Sequence, residues 1–408
     1  MGGQKGMWIV GGLLVLSIAA FAGVELLKSR AASPAKPKAL VTTFKGDPRT
    51  SRAFTWHTGN PEAAAVVQVV KGAENITFEE KMTMTIKGET TSIEVAKGRR
   101  QGVHKAIVTD LEPGAVYTYR VGSGEAGGWS EPAIFMTEPE ALTDFTFLNV
   151  TDSQGVTEND FALWGKTLDK AFAVFPEAGF IAHNGDLTEN PEDESAWDAF
   201  FGKAGRWLSR FPLMPVTGNH DEADKKADRF VSHFSLPDNG AKGSINGTSY
   251  SFDYGLAHFV VLNTESNGKE QTEWLRSDLA GSQKMWKIAL LHRGPYGGNQ
   301  DESVLQRWVP VFDEFGVDLA LQGHNHEYSR SYPLKDGQIV REGEGTVYVV
   351  TNTSGPKFNK KKADQFYHRV HFQNGKQMFA GIRVNGNALT YQAYDVDGNM
   401  LDAFTLQK

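Results

Sequence analysis

The chain alternates short apolar runs with polar segments, and the period of this alternation changes near residue 140. Over 39–138 the runs are short, rich in β-forming residues and separated by turn signals, as at Ala65–Val70 and Val116–Val121, which is typical of a β-sandwich. Over 144–408 such runs alternate with segments whose apolar residues recur every three or four positions, as in Glu158–Phe175. The pattern therefore predicts an all-β domain followed by an α/β domain.

The first 38 residues are predicted to export or anchor the protein. Met7–Leu27 is apolar with a single charged residue and is long enough to span a bilayer if it is not cleaved. Ala20–Ala22 forms a small-x-small cleavage site, and the basic residues after the run outnumber Lys5 before it, which favours a cleaved signal peptide over an anchor. Ala31–Lys38 reads as a flexible tether. We expect an extracellular or cell-surface protein, with membrane or cell-wall association through the N-terminus left open.

Composition narrows the class of protein. A length of 408 residues predicts two to three domains, and a hydrophobic content of 40% is ample for packed cores. The formal charge of −7 argues against a nucleic-acid-binding face, which is basic. Cysteine is absent, which excludes disulfides and thiolate metal sites, and an exported chain without cysteine is more typical of Gram-positive bacteria than of secreted animal proteins. The oligomeric state does not follow from these features.

Metal-binding residue types follow five apolar strands of the second domain. The five segments are Thr151-Asp152-Ser153-Gln154, Asn184-Gly185-Asp186, Gly218-Asn219-His220-Asp221, Leu291-His292-Arg293 and Gly323-His324-Asn325-His326. A single Asp after a strand is usually a helix cap, and Gly-Asn is usually turn chemistry. Five such loops at strand ends share one crevice of an α/β sheet, however, and their joint occurrence is hard to attribute to chance. We therefore predict a site for two metal ions.

The order of these motifs resembles the calcineurin-like metallophosphoesterase superfamily. The preceding segment is similar to the fibronectin-III-like domain of purple acid phosphatases, and its Leu111-x-Pro-Gly-x-x-Tyr117-x-Tyr119 resembles a tyrosine corner. Together the resemblances cover about 40–408. They imply an N-terminal fibronectin-III-like sandwich and a four-layer α/β/β/α catalytic domain.

The resemblance also implies the ligands of the two metals. Asp186 bridges the two ions, Asp152 and His326 bind one, and Asn219, His292 and His324 bind the other. Such ligands suit divalent or trivalent Zn, Fe, Mn or similar ions. The implied reaction is hydrolysis of phosphate monoesters by attack of a hydroxide that bridges the two metals.

Three further residues are candidates for catalysis. His220 resembles the family histidine that contacts phosphate or protonates the leaving oxygen, and Asp221 is placed to orient it. Arg293 can clamp a phosphate oxygen because guanidinium matches that geometry, although a solvated loop arginine is an equal alternative.

Two positions depart from the family pattern. Gln154 stands where many members have His, and it either binds metal through its carbonyl oxygen or orients the hydroxide. Glu189 stands where purple acid phosphatases have a metal-binding Tyr. We therefore expect one metal to be held more loosely and no purple colour.

Three functions remain open at this point. The first is an exported phosphomonoesterase acting on phosphate esters. The second is a phosphodiesterase for nucleotides, phospholipid headgroups or wall polymers, and the third is a non-catalytic surface-binding protein. His57 and His104 are expected to be structural, His183 to be packed, and His368 and His371 to lie near one rim of the cleft.

Overall fold

The computed structural model describes residues 36–73, 76–79 and 82–408. The predicted signal or anchor lies outside the described residues. Within them, every helix is too short or too polar to cross a membrane.

The first domain is a sandwich of two antiparallel four-stranded sheets. Its strands are β1 (Lys38–Thr43), β2 (Arg52–Thr58), β3 (Val66–Lys71), β4 (Met84–Lys87), β5 (Glu89–Ala96), β6 (Arg99–Val108), β7 (Val116–Gly122) and β8 (Ala133–Met136). The sheet orders are β1-β2-β6-β5 and β4-β3-β7-β8. Buried aromatic side chains such as Phe54, Tyr119 and Phe135 pack between the sheets. The Tyr117 hydroxyl accepts the backbone N–H of Glu112 at 2.9 Å, as a tyrosine corner requires.

The second domain contains two mixed sheets with helices on both outer faces. Its helices are α1 (Glu158–Val174), α2 (Glu194–Leu208), α3 (Asp228–His233), α4 (Gly268–Gly281) and α5 (Glu302–Phe315). The first sheet has the order β11-β10-β9-β21-β22-β23. It consists of β9 (Asp144–Val150), β10 (Ala178–His183), β11 (Leu213–Pro215), β21 (Met378–Asn385), β22 (Ala388–Asp395) and β23 (Met400–Gln407).

The second sheet has the order β12-β13-β14-β15-β19-β16-β20. It consists of β12 (Tyr250–Tyr254), β13 (Ala257–Leu262), β14 (Trp286–Leu291), β15 (Leu319–Gln322), β16 (Tyr328–Ser331), β19 (Val347–Thr351) and β20 (His368–Phe372). A short ribbon of β17 (Leu334–Lys335) and β18 (Gln338–Ile339) lies beside it.

The alternation of side chains along β13 shows the four layers. Phe259 and Val261 belong to the core between the two sheets, whereas Val260 and Leu262 belong to the core beneath α4 and α5. Successive residues of a strand face opposite sides, so this strand is buried on both faces and reads as a continuous apolar run. The expected all-β domain followed by a four-layer α/β domain is confirmed.

The two domains share apolar and polar contacts. Val41 and Phe44 join the core of the second domain. The Lys105 ammonium donates to the carbonyl oxygens of Val231 and Phe234 at 2.6 and 2.7 Å. These contacts fix the sandwich against α3 and the residue that follows it.

Candidate metal centre

The predicted ligands follow the carboxyl ends of strands that lie parallel to one another. β9, β10 and β11 are parallel neighbours in the first sheet, and β14 and β15 are parallel neighbours in the second. Parallel strands place their carboxyl ends on one edge of a sheet. The two sheets therefore bring the loops after all five strands to one place.

The carboxylates and imidazoles form two groups that share one residue. Asp152, Asp186 and His326 form the first group, and Asp186, His292 and His324 form the second, each with ligand atoms within 4.8 Å of one another. Only a carboxylate shared in this way can serve two cations about 3.5–4 Å apart. The arrangement gives Asp186 the position of the bridge.

Each group is held together by contacts typical of ligand side chains. The His292 Nε2 atom lies 3.2 Å from Asp186 Oδ2 and 3.2 Å from Asn219 Oδ1. In the first group, His326 Nε2 lies 3.2 Å from Asp152 Oδ1. Asn219 therefore adds an amide oxygen to the second group.

The other ring nitrogens of these histidines are fixed by backbone carbonyls. His292 Nδ1 donates to the Asn184 carbonyl at 2.8 Å, and His326 Nδ1 donates to the Lys357 carbonyl at 3.0 Å. A hydrogen bond of this kind sets the tautomer and ring orientation of a metal ligand. It leaves Nε2 of each ring as the atom that faces the carboxylates.

Electrostatics keep the carboxylates charged despite their burial. Burial opposes ionisation of Asp186 and Asp152, but protonated His292 and His326 more than offset it and lower the pKa of each carboxyl. In turn, and against burial, the carboxylates raise the pKa of both imidazoles. Burial lowers the pKa of His324 to about 4, so this imidazole is neutral at pH 7. A bound cation would take the place of the Nε2 protons of His292 and His326, because a ligand imidazole is neutral.

Four of the candidate ligands have a left-handed backbone. The φ angles are 51° at Asp152, 54° at Asp186, 70° at His324 and 50° at His326. Such angles are uncommon outside glycine and cluster at functional sites, where the surrounding structure holds them. The loops therefore hold these four residues in an unfavourable backbone conformation that places their side chains at the site.

Glycines in the motifs make room for the ligands. A Cβ atom on Gly218 would lie 2.2 Å from Asp186 Oδ1, and one on Gly323 would lie 2.2 Å from Thr151 Oγ1. Both distances are far below van der Waals contact. The glycines of the Gly-Asn-His and Gly-His-x-His motifs are thus required by close approach.

Gln154 and Glu189 meet at the edge of the first group. The Gln154 Nε2 atom donates to Glu189 Oε2 at 3.1 Å, and the same carboxylate pairs with the Lys357 ammonium. A carboxylate only accepts, so the amide nitrogen must face Glu189 and the amide oxygen must point elsewhere. That oxygen is buried and has no hydrogen-bond partner in the described part of the chain. A buried amide oxygen without a partner, on a residue whose backbone N–H donates to the Asp186 carbonyl at 3.0 Å, fits a cation site.

His220 is positioned by backbone atoms. Its Nδ1 donates to the Glu189 carbonyl at 2.7 Å, and its own N–H donates to Asp186 Oδ1 at 2.8 Å. The side chain is 30% exposed. The imidazole is therefore fixed next to the bridging carboxylate while remaining partly open to solvent.

The expectation that Asp221 orients His220 is wrong. The buried Asp221 carboxylate accepts the N–H groups of Gly218 and Leu187, both at 2.9 Å. The side chains of His220 and Asp221 point in different directions, and the Asp221 carboxylate faces these two backbone N–H groups instead of the His220 imidazole. Burial and the nearby Asp186 raise the pKa of Asp221 to about 8.

Arg293 lies at the edge of the second group and is not a solvated loop residue. Its Nε donates to Glu265 at 2.9 Å, and its Nη1 lies 2.8 Å from His324 Nε2. It is therefore fixed beside the predicted ligands. Glu265 also belongs to this site, although it lies outside the five motifs and no sequence pattern indicated its role.

The remaining histidines lie around the centre or in the domain interface. His183 donates or accepts at Ser153 Oγ, 2.9 Å away, and packs against Trp164. His371 lies between Asp364 and Glu327, and Glu327 directly follows His326. His57 contacts His233 across the domain interface. His104 lies between the hydroxyls of two threonines of the sandwich.

Comparisons with known proteins agree with this geometry. The purple acid phosphatase N-terminal domain family matches residues 37–137, and the calcineurin-like phosphoesterase family matches residues 145–328. Human acid phosphatase type 7 is 26% identical over 85% of this chain and 87% of its own length. Probable inactive purple acid phosphatase 27 of Arabidopsis thaliana is 25% identical over 62% of this chain and 49% of its own length.

A solved structure shares the whole architecture. Purple acid phosphatase PPD1 from yellow lupin seeds superimposes with a TM-score of 0.78 at 19% identity, covering 92% of this chain and 75% of that one. The two family matches are consecutive and together span most of the chain. The chain carries a purple acid phosphatase N-terminal domain followed by a calcineurin-like phosphoesterase domain, and it is a metal-dependent phosphatase.

Proposed function

We propose that this protein is an exported dimetal phosphomonoesterase. The observation that carries the proposal is the pair of donor groups that share Asp186. One ion would be held by Asp152, His326 and the orphaned Gln154 oxygen, and the other by the donors of the second group. When bound, two such cations supply Lewis acidity that activates water and stabilises charge on phosphate oxygens.

His220 is the proton donor in this proposal. In the protonated imidazole both ring nitrogens are donors, and the Glu189 carbonyl occupies only Nδ1. Nε2 is therefore the atom that would give a proton to the leaving oxygen. Asp186 Oδ1 fixes the backbone of the same residue, so the donor and the bridge keep a constant spacing.

Arg293 supports binding of the phosphoryl group. Its guanidinium lies beside His324 and is braced by Glu265. A braced guanidinium loses little freedom on meeting a phosphate oxygen, and its donors match that geometry.

Export rests on the sequence alone. The apolar run Met7–Leu27, its cleavage site and the tether that follows support a protein that acts outside the cell or on its surface. Expression of the full chain in a bacterial host, followed by fractionation and mass spectrometry of the mature N-terminus, tests this. Retention of the intact N-terminus in the cytoplasm would contradict it.

Metal-dependent turnover tests the central proposal. The purified protein is stripped by chelation, reloaded with Zn, Mn or Fe, and assayed with p-nitrophenyl phosphate and bis-p-nitrophenyl phosphate. We expect chelation to abolish turnover, reloading to restore it, and the monoester to be preferred.

The same assay separates the alternatives. Preference for the diester would make the protein a phosphodiesterase. Full activity after exhaustive chelation would contradict the dimetal centre. Metal binding without turnover of either substrate would instead support a non-catalytic binding protein.

A further inference from the structure

A polar cavity of about 470 Å³ opens beside the second donor group. Its walls come from the 3₁₀ turn Ala223–Lys225, the loop between β13 and α4, the start of α4 and the first two turns of α5. Glu265 lines the cavity and also holds Arg293, which contacts His324. The cavity is thus separated from a predicted metal ligand by two side chains.

Two cationic side chains line this cavity without an anionic partner. Lys225 and Arg307 form no ion pair within 4.0 Å among the side chains that the structure describes, whereas most other arginines of the second domain are paired with carboxylates. Glu265 is the single carboxylate of the lining, and Arg293 neutralises it at 2.9 Å. The side chains that line the cavity therefore carry a net positive charge, in a chain whose formal charge is −7.

The position of Arg307 depends on the residue opposite. A Cβ atom on Gly268 would lie 2.1 Å from Arg307 Nη1, so only glycine lets the guanidinium lie against the start of α4. The hydroxyl groups of Ser266 and Ser303 add polar atoms to the same wall. An anion here would meet the guanidinium and the ammonium, which recognise phosphate, whereas the Ser303 hydroxyl donates to Asp301 at 2.7 Å and the Ser266 hydroxyl bonds to Glu222.

We infer that this cavity binds a second phosphate group of the substrate. The inference rests on the proposed phosphoesterase function and narrows its substrates to compounds that carry another phosphate on the leaving-group side. Arg293 and Glu265 lie between the two positions, so the two phosphates must be joined by a spacer rather than directly.

Matched alkyl substrates test the inference. Each α,ω-alkanediol bisphosphate with three to eight carbons is compared with the alkyl monophosphate of equal length, because the leaving alcohols then have similar chemistry. We expect the kcat/KM of the best bisphosphate to exceed that of its monophosphate by about tenfold, beyond the twofold that two equivalent phosphates give. The advantage should fall with salt, since it depends on charge.

Variants assign the advantage to the cavity. The double variant Lys225→Met and Arg307→Met should lose most of it while turnover of the monophosphates stays unchanged. Arg276→Met is the matched control, because Arg276 is on α4 but pairs with Glu314 and does not line the cavity. An equal advantage in the double variant, or none in the unaltered protein, would overturn the inference.

A binding measurement separates this inference from the proposed function. Alkyl bisphosphonates and alkyl phosphonates are not hydrolysed, and their affinity for the metal-loaded protein is measured by calorimetry. If no ester is hydrolysed but bisphosphonates bind more tightly than phosphonates, the proposed function is contradicted and the cavity is supported as a phosphate-binding site. If the protein hydrolyses esters but binds bisphosphonates and phosphonates equally tightly, the role of the cavity is contradicted and the proposed function stays supported.

Discussion

At the scale of single residues, the centre depends on side chains that hold other side chains. Asp186 joins two donor groups, and the carbonyls of Asn184 and Lys357 set the direction of two imidazoles. Glu189 fixes Gln154 through its carboxylate and His220 through its carbonyl. Three single-residue predictions follow from these contacts.

Replacing Asp186 by Asn should remove the bridge. The change keeps the size of the side chain but removes the charge that attracts two cations, so bound metal should fall and hydrolysis should drop by about 10²-fold or more. Metal content by mass spectrometry and initial rates check this, with circular dichroism as a test of folding. Asp198→Asn is the control, because Asp198 forms only an exposed pair with Lys38. Normal metal content in Asp186→Asn would contradict its role as the bridge.

Loss of His220 should depend on the leaving group. General-acid assistance is worth about 10²–10⁴-fold, and an activated aryl oxide departs without it. His220→Ala should therefore reduce hydrolysis of alkyl phosphates by about that factor and largely spare p-nitrophenyl phosphate, with unchanged metal content. An equal loss on both substrates would assign His220 to phosphate binding instead of proton transfer.

Glu189→Gln should loosen the metal of the first group. An amide at 189 can donate as well as accept, so it no longer forces the Gln154 nitrogen toward it and frees the Gln154 amide to turn. Changes behind a ligand typically cost 10–100-fold in metal affinity, and we expect a loss of about tenfold by calorimetric titration. Glu342→Gln, which alters an exposed pair with Arg369, is the control. Unchanged affinity would show that Glu189 does not position Gln154.

At the scale of elements, helices α1 and α2 support the first sheet behind the centre. They stack Trp164 on Phe200 with ring centroids 5.3 Å apart. α1 begins with a capping box in which Thr157 and Asp160 exchange hydrogen bonds with each other's backbone. The helix is thus started by its own sequence and held by aromatic packing against its neighbour.

Removing the cap of α1 should destabilise the protein without affecting the reaction. Thr157→Ala leaves the first-turn N–H of Asp160 without its acceptor, and such losses cost about 0.5–2 kcal/mol of unfolding free energy. Urea unfolding measures the change, and turnover should stay at the wild-type value. Thr157→Ser keeps the hydroxyl and should restore stability. A cost as large in the serine variant would point to packing rather than capping.

At the scale of the whole molecule, buried histidines couple the two domains. His57 of the sandwich and His233 of α3 lie 3.1 Å apart, next to Glu194. Burial holds the pKa of both imidazoles well below 6.5, and it raises the pKa of Glu194 to about 7 against the opposing charge of Arg229. The domain interface therefore contains groups whose charge changes on acidification.

The two histidines should make the folded protein sensitive to acid. Below pH 6.5 these two imidazoles bind protons in the unfolded chain but stay neutral in the folded protein. Their contribution to the free energy of unfolding is therefore fully present above pH 6.5 and is lost as the pH falls. Glu194 has the opposite sign, because stability is gained as pH falls from about 7 towards 4.5. The two histidines together change the free energy of unfolding by more than the one carboxyl does. Acidification of these three groups therefore lowers the stability of the folded protein.

Urea unfolding at pH 8, 6.5 and 5 measures this balance. The wild type should lose free energy of unfolding between pH 6.5 and 5, and the variant with His57→Gln and His233→Gln should lose about 1–3 kcal/mol less over the same interval. His104 has a pKa that burial lowers to about 4 and is present in both proteins, so it sets the common baseline. Parallel profiles would show that the pair does not govern the acid response.

The sequence by itself determined the elements and the ligand motifs. The strand patterns Ala65–Val70 and Val116–Val121 are found as strands whose ends differ by one residue, because apolar alternation and turn residues act over neighbouring positions. Parallel strands then bring their final residues together, so Asp152, Asp186 and His292 could be predicted to meet. The lack of purple colour stays a prediction that follows from Glu189.

Only the tertiary structure decided how distant side chains pair. Asp221 turned away from His220, because the energetic gain for its buried carboxylate came from two backbone N–H groups rather than from its neighbour. Gln154, Glu189 and Lys357 come from three separate loops, and no local pattern indicates that they meet. The physical reason is the same for all of them. Contacts between residues far apart in the chain form only once the sheets, loops and cores have fixed where each backbone lies.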